Sequence, residues 1–404
     1  YQKKNKVNDA AKSLINYYNL ILPESSEGTL TIQKLKDLSL LKWDKNISRD
    51  RSDDAIMDVD REKIFLFINN NVESYSIQSS ALIWKSSFGD ENTRVVFADV
   101  KNEKYIYFIK KDVPDPKTFY LREMLTNKRL DFDAYEKASK YGLAAVNKRD
   151  AKISWDVPLE IPGESVVSWM GIKSNKIFIQ STVKNKMSVS VYDIIVGDLL
   201  WEISHDVSSF YTSNDLKPAF YNGNLLLPLD SSIKYIDESG NTIGVYNDEE
   251  WVNIYFFNEN SIQNNTMIFI IDDFGYEYVR VDLDKFTKMD GGSIDIENLN
   301  QIYLMKNIFI EVSSSGTIRA YNFNLDNDNA ELVWDYDFNS SLKIISVNNN
   351  FIYLLDSDNN YIIEVDTQKG KIIKNTPLLW SGENVEISNN YFIVQSANKL
   401  YLIS

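Results

Sequence analysis

The chain has 404 residues, no cysteine, one histidine and a net charge of -15 from 43 basic and 58 acidic side chains. A field of that sign repels phosphate backbones and anionic lipid, so nucleic acid is not expected as a partner. The missing cysteines remove disulfides, thiolate metal sites and cysteine nucleophiles together, and a single histidine cannot assemble a His-rich metal centre.

Residues 1–22 place Val7, Ala10, Ala11, Leu14, Ile15 and Tyr18 on one face of a predicted short helix. Behind a basic start, such a helix suits either a segment just outside an upstream signal or membrane anchor, or a helix packed on the flank of the main domain. The stretch PESSEGT (23–29) reads as a linker, which divides the chain into a lead-in, 1–29, and a single domain, 30–404. No run of eighteen apolar residues follows, so no membrane span is expected within this chain.

From there a unit recurs: an apolar strand, a turn headed by Asp, Asn or Ser, then a strand with tryptophan eight residues after the head of the turn. The cleanest copy is VYDIIVGDLLW, with Asp193, Gly197 and Trp201 spaced four and four. LKDLSLLKW (Leu35 to Trp43), SIQSSALIW (Ser76 to Trp84) and NKRDAKISW (Asn147 to Trp155) keep the eight-residue step, and DTQKGKIIK keeps Asp366 and Gly370 but ends on Lys374. Taken along the chain, the marker falls at Trp43, Trp84, Trp155, Trp201, Val245, Asp290, Trp334 and Lys374, with steps of 41, 71, 46, 44, 45, 44 and 40. All but one match the span of a propeller blade, about 40–50 residues.

A second marker gives the same count. Strongly apolar strands occur at 63–68 (KIFLFI), 104–110, 176–180, 224–229, 267–271, 307–312, 351–355 and 391–395, each preceded by a further strand such as DAIMDVD or VVSWMGI. Their β-branched and aromatic content and their Asn, Asp and Gly boundaries read as buried sheet. The predicted fold is all-β: an eight-bladed β-propeller with four antiparallel strands per blade, seven blades being the alternative if one end unit is not a true blade. KLYLIS at the C-terminus lacks an outer strand and SLLKWDKNIS near the start lacks partners. Pairing 38–48 with 399–404 would therefore close the ring and remove two exposed edges.

The step of 71 marks about 28 extra residues in the second unit, at 111–141. Propeller function resides mainly in loops on a rigid scaffold. This segment carries Phe119, Tyr120, Arg122, Met124, Arg129, Phe132 and Tyr135, the residue types that dominate protein–protein hot spots. They are the candidate partner-binding residues; the competing reading is a loop that covers the propeller with its aromatics packed inward.

Elsewhere the chemistry is sparse. His205, in WEISHDVSS, reads as a solvated loop histidine, and the chain has no G-x-S-x-G elbow and no P-loop. Asp356, Asp358 and Asn360 take the first, third and fifth places of a calcium loop, but Tyr361 replaces the required Gly and Thr367 the required Glu. Asn46, Asn264 and Asn339 head Asn-x-Ser/Thr sequons. No catalytic, cofactor or metal residues are assigned.

The unit with Asp193, Gly197 and Trp201 resembles the tryptophan-docking repeat A-x-D-x-x-T-G-x-x-x-W of the PQQ-like, quinoprotein-type propellers, over residues 30–404. That family is usually eight-bladed. Its quinone-dependent dehydrogenases bind cofactor and calcium, often beside a vicinal cysteine pair that this chain lacks. Its other branch, the BamB-type lipoproteins of outer-membrane protein assembly, is non-catalytic and tethered at the N-terminus. The resemblance to that branch implies a monomeric, extracytoplasmic scaffold that docks a protein partner in a cell-envelope complex, with any anchor upstream of Tyr1. The alternative is a dehydrogenase-like or small-ligand-binding propeller that uses its central channel.

Overall fold

The computed structural model describes residues 13–15, 26–37, 40–47, 55–115, 119, 132–208, 216–247, 253–263, 265–272, 276–294, 299–305, 308–313, 315–323, 330–347, 350–380, 382–388, 391–396 and 398–404. The apolar strands that mark the units are nearly continuous runs of Ile, Leu, Val and Phe because each is buried on both faces. In Lys63–Ile68, Ile64, Leu66 and Ile68 enter a cluster shared with the last blade, while Phe65 and Phe67 enter one shared with the next. Eight such clusters fill the spaces between consecutive blades, so the core is a ring of sheet-on-sheet interfaces.

Eight sheets of at least four strands carry these faces. Blade 1 comprises Ala55–Val59, Lys63–Ile68, Asn71–Ser76 and Leu82–Ser87; blade 2, Thr93–Asp99, Tyr105–Asp112, Lys140–Asn147 and Ile153–Pro158. Blade 3 comprises Val166–Lys173, Lys176–Val183, Lys186–Asp193 and Leu199–Asp206; blade 4, Ala219–Tyr221, Asn224–Pro228, Ser232–Ile236 and Thr242–Asn247. Blade 5 comprises Asn253–Phe256, Thr266–Asp272, Tyr276–Asp282 and Thr287–Ile294, with Ile262–Gln263 as a short extra strand; blade 6, Leu299–Met305, Ile308–Ser313, Thr317–Phe323 and Ala330–Asp337. Blade 7 comprises Leu342–Val347, Phe351–Asp356, Tyr361–Asp366 and Ile372–Pro377. Blade 8 comprises Asn384–Ser388, Tyr391–Ser396 and Lys399–Ile403, and takes Leu41–Asn46 as its outermost strand. Neighbouring strands within each blade are antiparallel. First strands of adjacent blades touch one another, as Ala55–Val59 does with Thr93–Asp99 and with Asn384–Ser388, so they line the centre of the ring.

The eighth blade confirms the expected closure and removes the seven-blade alternative. Leu41 pairs with Ile403, Trp43 with Leu402 and Asn46 with Lys399, joining the two ends of the chain in one sheet.

Two expectations at the N-terminus need correction. Residues expected to form a linker begin a helix, α1 (Ser26–Asp37), which crosses the boundary drawn at residue 30. It packs on the ring: buried Leu35 joins Leu41, Leu355, Phe392 and Tyr401, and Ile15, in a helical stretch at 13–15, enters the same cluster. Leu35 therefore heads no turn. The LKDLSLLKW copy is a coincidence of spacing, since the fourth strand of blade 8 comes from the N-terminus and has no third strand immediately before it in sequence.

The place of the tryptophan has a geometric cause, present in every blade whether or not a tryptophan fills it. Between third and fourth strands the register slips just before the tryptophan position, because the fourth strand inserts one extra residue, a β-bulge: Val191 faces Trp201 but Tyr192 faces Leu199, skipping Leu200. The same slip precedes Trp43, Trp84, Trp155, Asp290, Trp334 and Lys374. In blade 4 the equivalent residue is Gly244, one place from the expected Val245.

The turn's glycine serves a different tryptophan from the one that follows it. Gly197 has φ +79°, and a Cβ there would stand 2.9 Å from the ring of Trp155, the tryptophan of the preceding blade. Gly240 lies likewise under Trp201, and Gly370 under Trp334. The indole Nε1 then donates to the carbonyl just after the head of the neighbouring turn: Trp43 to Ile77 at 2.7 Å, and Trp84 to Lys148, Trp201 to Glu238 and Trp334 to Thr367, each at 2.9 Å. The head residue shapes that turn by accepting backbone N–H groups, as Asp193 Oδ1 does from Ile195 and Val196 at 2.7 and 3.1 Å.

Two of the three exceptions, in blades 4 and 7, follow the same logic; for the third, Asp290 of blade 5, the corresponding turn of blade 6, at 324–329, lies outside the described residues. Between blades 4 and 5 large and small are exchanged: Gly244 stands at the tryptophan position and Phe286 at the glycine position, its ring 3.2 Å from where a Gly244 Cβ would be. Blade 7 ends on Lys374, and blade 8 has no turn between its third and fourth strands on which a tryptophan could dock.

Candidate functional site

Turns between third and fourth strands are tied to those between first and second strands, as in Ile77 N to Glu62 O and Lys148 N to Lys104 O, so both sets share one end of the ring. The expanded hairpin of blade 2 joins its second and third strands and therefore lies at the other end. Its described base is built onto the scaffold. Helix α2 (Phe132–Ala138) carries Glu136, which pairs with Lys111, and Tyr135, whose hydroxyl donates to Pro114 O at 3.0 Å. Gly163, after blade 2, lies so close to the carbonyls of Glu136 and Ser139 that a Cβ would come within 2.3 Å of both.

Among the candidate partner-binding residues, the structure brings Phe119 and Tyr135 together, ring edge to face at 5.3 Å. Both are half-buried. Tyr120, Arg122, Met124 and Arg129 lie outside the described residues, as does the side chain of Phe132.

The second concavity is in the central channel, a cavity of about 330 Å³. Trp169, Phe220, Lys101, Lys217, Asp99 and Glu259 are among the residues that line it. Trp169 folds back over its own strand because Gly171 has no Cβ to meet the indole, and its ring lies 5.8 Å from that of Phe220. Sequence reasoning missed this wall, although Trp169 is off the repeat and falls on a first strand. Further round the channel, burial pushes Glu386 up to about 7, with the carboxylate of Asp58 adding to the rise and Lys101 and Lys343 opposing it.

The calcium-loop candidates are occupied with turn geometry. Asp356 accepts from Asn359 N at 3.0 Å and Asp358 from Ser341 N at 2.7 Å. His205 is not in a solvated loop: it sits half-buried in the outer strand of blade 3, with Nδ1 3.2 Å from Lys234 Nζ of blade 4. Burial, then the Lys234 charge, lowers its pKa against the pull of Asp206. No group of three or more metal-ligating side chains occurs among the described residues.

Glu311, on the second strand of blade 6, is 0% exposed, and neither carboxylate oxygen has a hydrogen-bond partner among the described residues. The nearest cation is Arg319 Nη1 at 3.8 Å. Burial pushes this carboxyl from 4.5 up to about 7 against the pull of Arg319. Between those values the folded chain keeps a proton that the unfolded chain has released, so stability falls as pH rises through the window and levels off above it. The expected loss from Glu311 is about 3 kcal/mol. Urea unfolding at pH 5 and pH 8 measures it; Glu386, raised to the same range, adds a loss of the same sign, so Glu311→Gln is expected to remove about half of the difference, and an unchanged difference would assign it to other groups.

No family model matches the chain, and no curated protein matches it by sequence. Solved structures match its shape. BamB from Moraxella catarrhalis superposes with a TM-score of 0.59 at 13% identity, covering 90% of this chain and 98% of that one. The fold is the eight-bladed β-propeller that BamB also has. A europium-containing methanol dehydrogenase shares it at TM-score 0.56 and 10% identity, covering 89% of this chain and 85% of that one. Saccharomyces cerevisiae Sqt1 matches at TM-score 0.59 and 9% identity, covering 90% and 97%. At such identities the propeller is shared as architecture alone, and function must be argued from sites. Among the described residues no helix is long and apolar enough to cross a membrane.

Proposed function

We propose that this propeller is a non-catalytic scaffold that docks a protein partner, in the extracytoplasmic, cell-envelope setting of the PQQ-like, BamB-type branch. The observation that carries this reading is the expanded hairpin of blade 2. It breaks the period of the repeat, and α2, the Lys111–Glu136 pair and the close approach at Gly163 hold its base to one end of the ring. A long loop fixed at its base on a rigid scaffold presents side chains at low ordering cost. Replacing 116–131 by a short turn is expected to leave the unfolding free energy within about 0.5 kcal/mol of the parent. The same change is expected to abolish cross-linking to partner from a photoreactive residue at position 113. Retained cross-linking would remove the hairpin from the docking surface.

The second reading, a small-ligand propeller, has the channel cavity with its Trp169–Phe220 wall in its favour. Native mass spectrometry with added pyrroloquinoline quinone separates the two: bound quinone lost on Trp169→Ala would favour the ligand-binding reading.

A further inference from the structure

Outer strands of a propeller are open sheet edges; all eight here, blade 3 included, carry the bulge described above, and such edges are guarded further with Lys or Pro or weakened by Gly. In this ring the guards are visible blade by blade: Lys85 in blade 1, Pro158 in blade 2, Gly244 in blade 4, Lys288 and two glycines in blade 5, Lys374 and Pro377 in blade 7, Lys42 and Lys45 in blade 8. Blade 3 is different. Its outer strand Leu199–Asp206 (LLWEISHD) is eight residues long, carries no Lys, Pro or Gly, and has no strand paired on its far side among the described residues. Blade 6 shares the unguarded strand, but its turn at 324–329 lies outside the described residues.

Blade 3 adds an apolar tip. Ile195 and Val196 are 70% and 52% exposed, next to Leu199 and Leu200 at 43% and 46%. The turn needs neither side chain, since Asp193 caps the two N–H groups and Gly197 supplies the positive φ. The same places hold Gln78 and Ser79 in blade 1, Arg149 and Asp150 in blade 2 and Gln368 and Lys369 in blade 7. Exposed aliphatics at the bulge are common to several blades; aliphatics at the tip distinguish this turn from those three.

Charge selects the occupant. The edge strand carries Glu202 and Asp206, with exposed Asp198 just before it, and no Lys or Arg. A second copy would bring the same carboxylates against these, whereas a strand bearing Lys or Arg would neutralise them.

We propose that the outer strand of blade 3 is a docking edge for an extended, basic and aliphatic segment of a partner protein, which adds to the sheet as a fifth strand and lays its aliphatic residues on Ile195, Leu199 and Leu200. Main-chain pairing supplies the affinity and the flanking charges the specificity. The edge and the blade 2 hairpin are separate sites, so either can fail without the other.

The test uses the full chain and two labelled peptides of alternating valine with lysine or with glutamate, read by fluorescence anisotropy and hydrogen exchange. Expected are preference for the lysine peptide by at least about tenfold, a similar loss of its binding in Glu202→Lys and in Leu200→Lys, and new amide protection at 199–206. Both substituted positions are exposed, and Glu202→Gln separates loss of charge from loss of the Ser190 hydrogen bond that Glu202 accepts. Unchanged binding in both lysine variants, or protection elsewhere on the ring, would overturn the proposal. So would a dimer in sedimentation at high salt that Leu200→Lys dissolves, since the occupant would then be a second copy.

Discussion

Removing residues 1–46 is expected to abolish cooperative folding of the ring. The strand Leu41–Asn46 is the fourth strand of blade 8, and without it Lys399–Ile403 becomes an exposed edge. The deletion also strips Leu35, Leu41 and Ile15 from the cluster between blades 7 and 8, and Trp43 from the one between blades 8 and 1. Four buried apolar side chains at roughly 1.5–3 kcal/mol each amount to about 6–12 kcal/mol, comparable to the whole stability of a typical domain. The expected result is a broad, non-cooperative urea transition with early-eluting species in gel filtration. Adding a peptide that spans 38–48 is expected to restore part of the cooperativity. A sharp two-state transition in the deleted protein would show that the ring does not need its closure.

The tryptophan–glycine contact between repeats gives the second large effect. Trp334 is buried, donates to Thr367 O of blade 7, and covers Gly370. Trp334→Ala is expected to cost about 3–5 kcal/mol, the range for aromatic truncation in a core. Gly370→Ala attacks the same contact from the other blade: its Cβ would lie 2.6 Å from the indole at a φ of +64°. A cost of about 1–3 kcal/mol is expected. The informative measurement is the double variant. With the indole gone the added methyl has room, so the two costs should sum to more than the double variant shows. Gly223→Ala is the control, since its φ of +84° carries the backbone strain while the nearest atom is 3.8 Å away. Strict additivity, or a Gly223 variant as damaged as that of Gly370, would mean that strain rather than packing sets the requirement for glycine.

Much of the fold was legible along the chain because a propeller repeats its local chemistry. Strand periodicity, turn heads such as Asp193 and Asp366 and apolar second strands such as KIFLFI each report on their own unit. Errors arose where spacing was matched without its cause. Leu35 satisfied the eight-residue step from inside a helix, and the blade 4 marker slipped by one because the bulge that sets the place of Gly244 leaves no mark once the tryptophan is gone. His205 looked like a loop residue because the two residues after the outer apolar pair are polar, yet Lys234 of the next blade covers it. The channel wall at Trp169 was missed for a related reason: nothing in VVSWMGI says which first-strand residues face the axis.

By itself the sequence determined the four-strand unit, the burial of the second strand and the place of the insertion, and narrowed the number of blades to eight or seven, because these depend on residues close together in the chain. Only the tertiary structure decided which partners meet across repeats. Gly197 serves Trp155 and not Trp201, Phe286 fills the place left by Gly244, and Lys374 needs no indole because blade 8 borrows its last strand from the N-terminus. The first two pairings join neighbouring repeats and need one blade packed against the next; the third needs the ring closed, which joins the two ends of the chain.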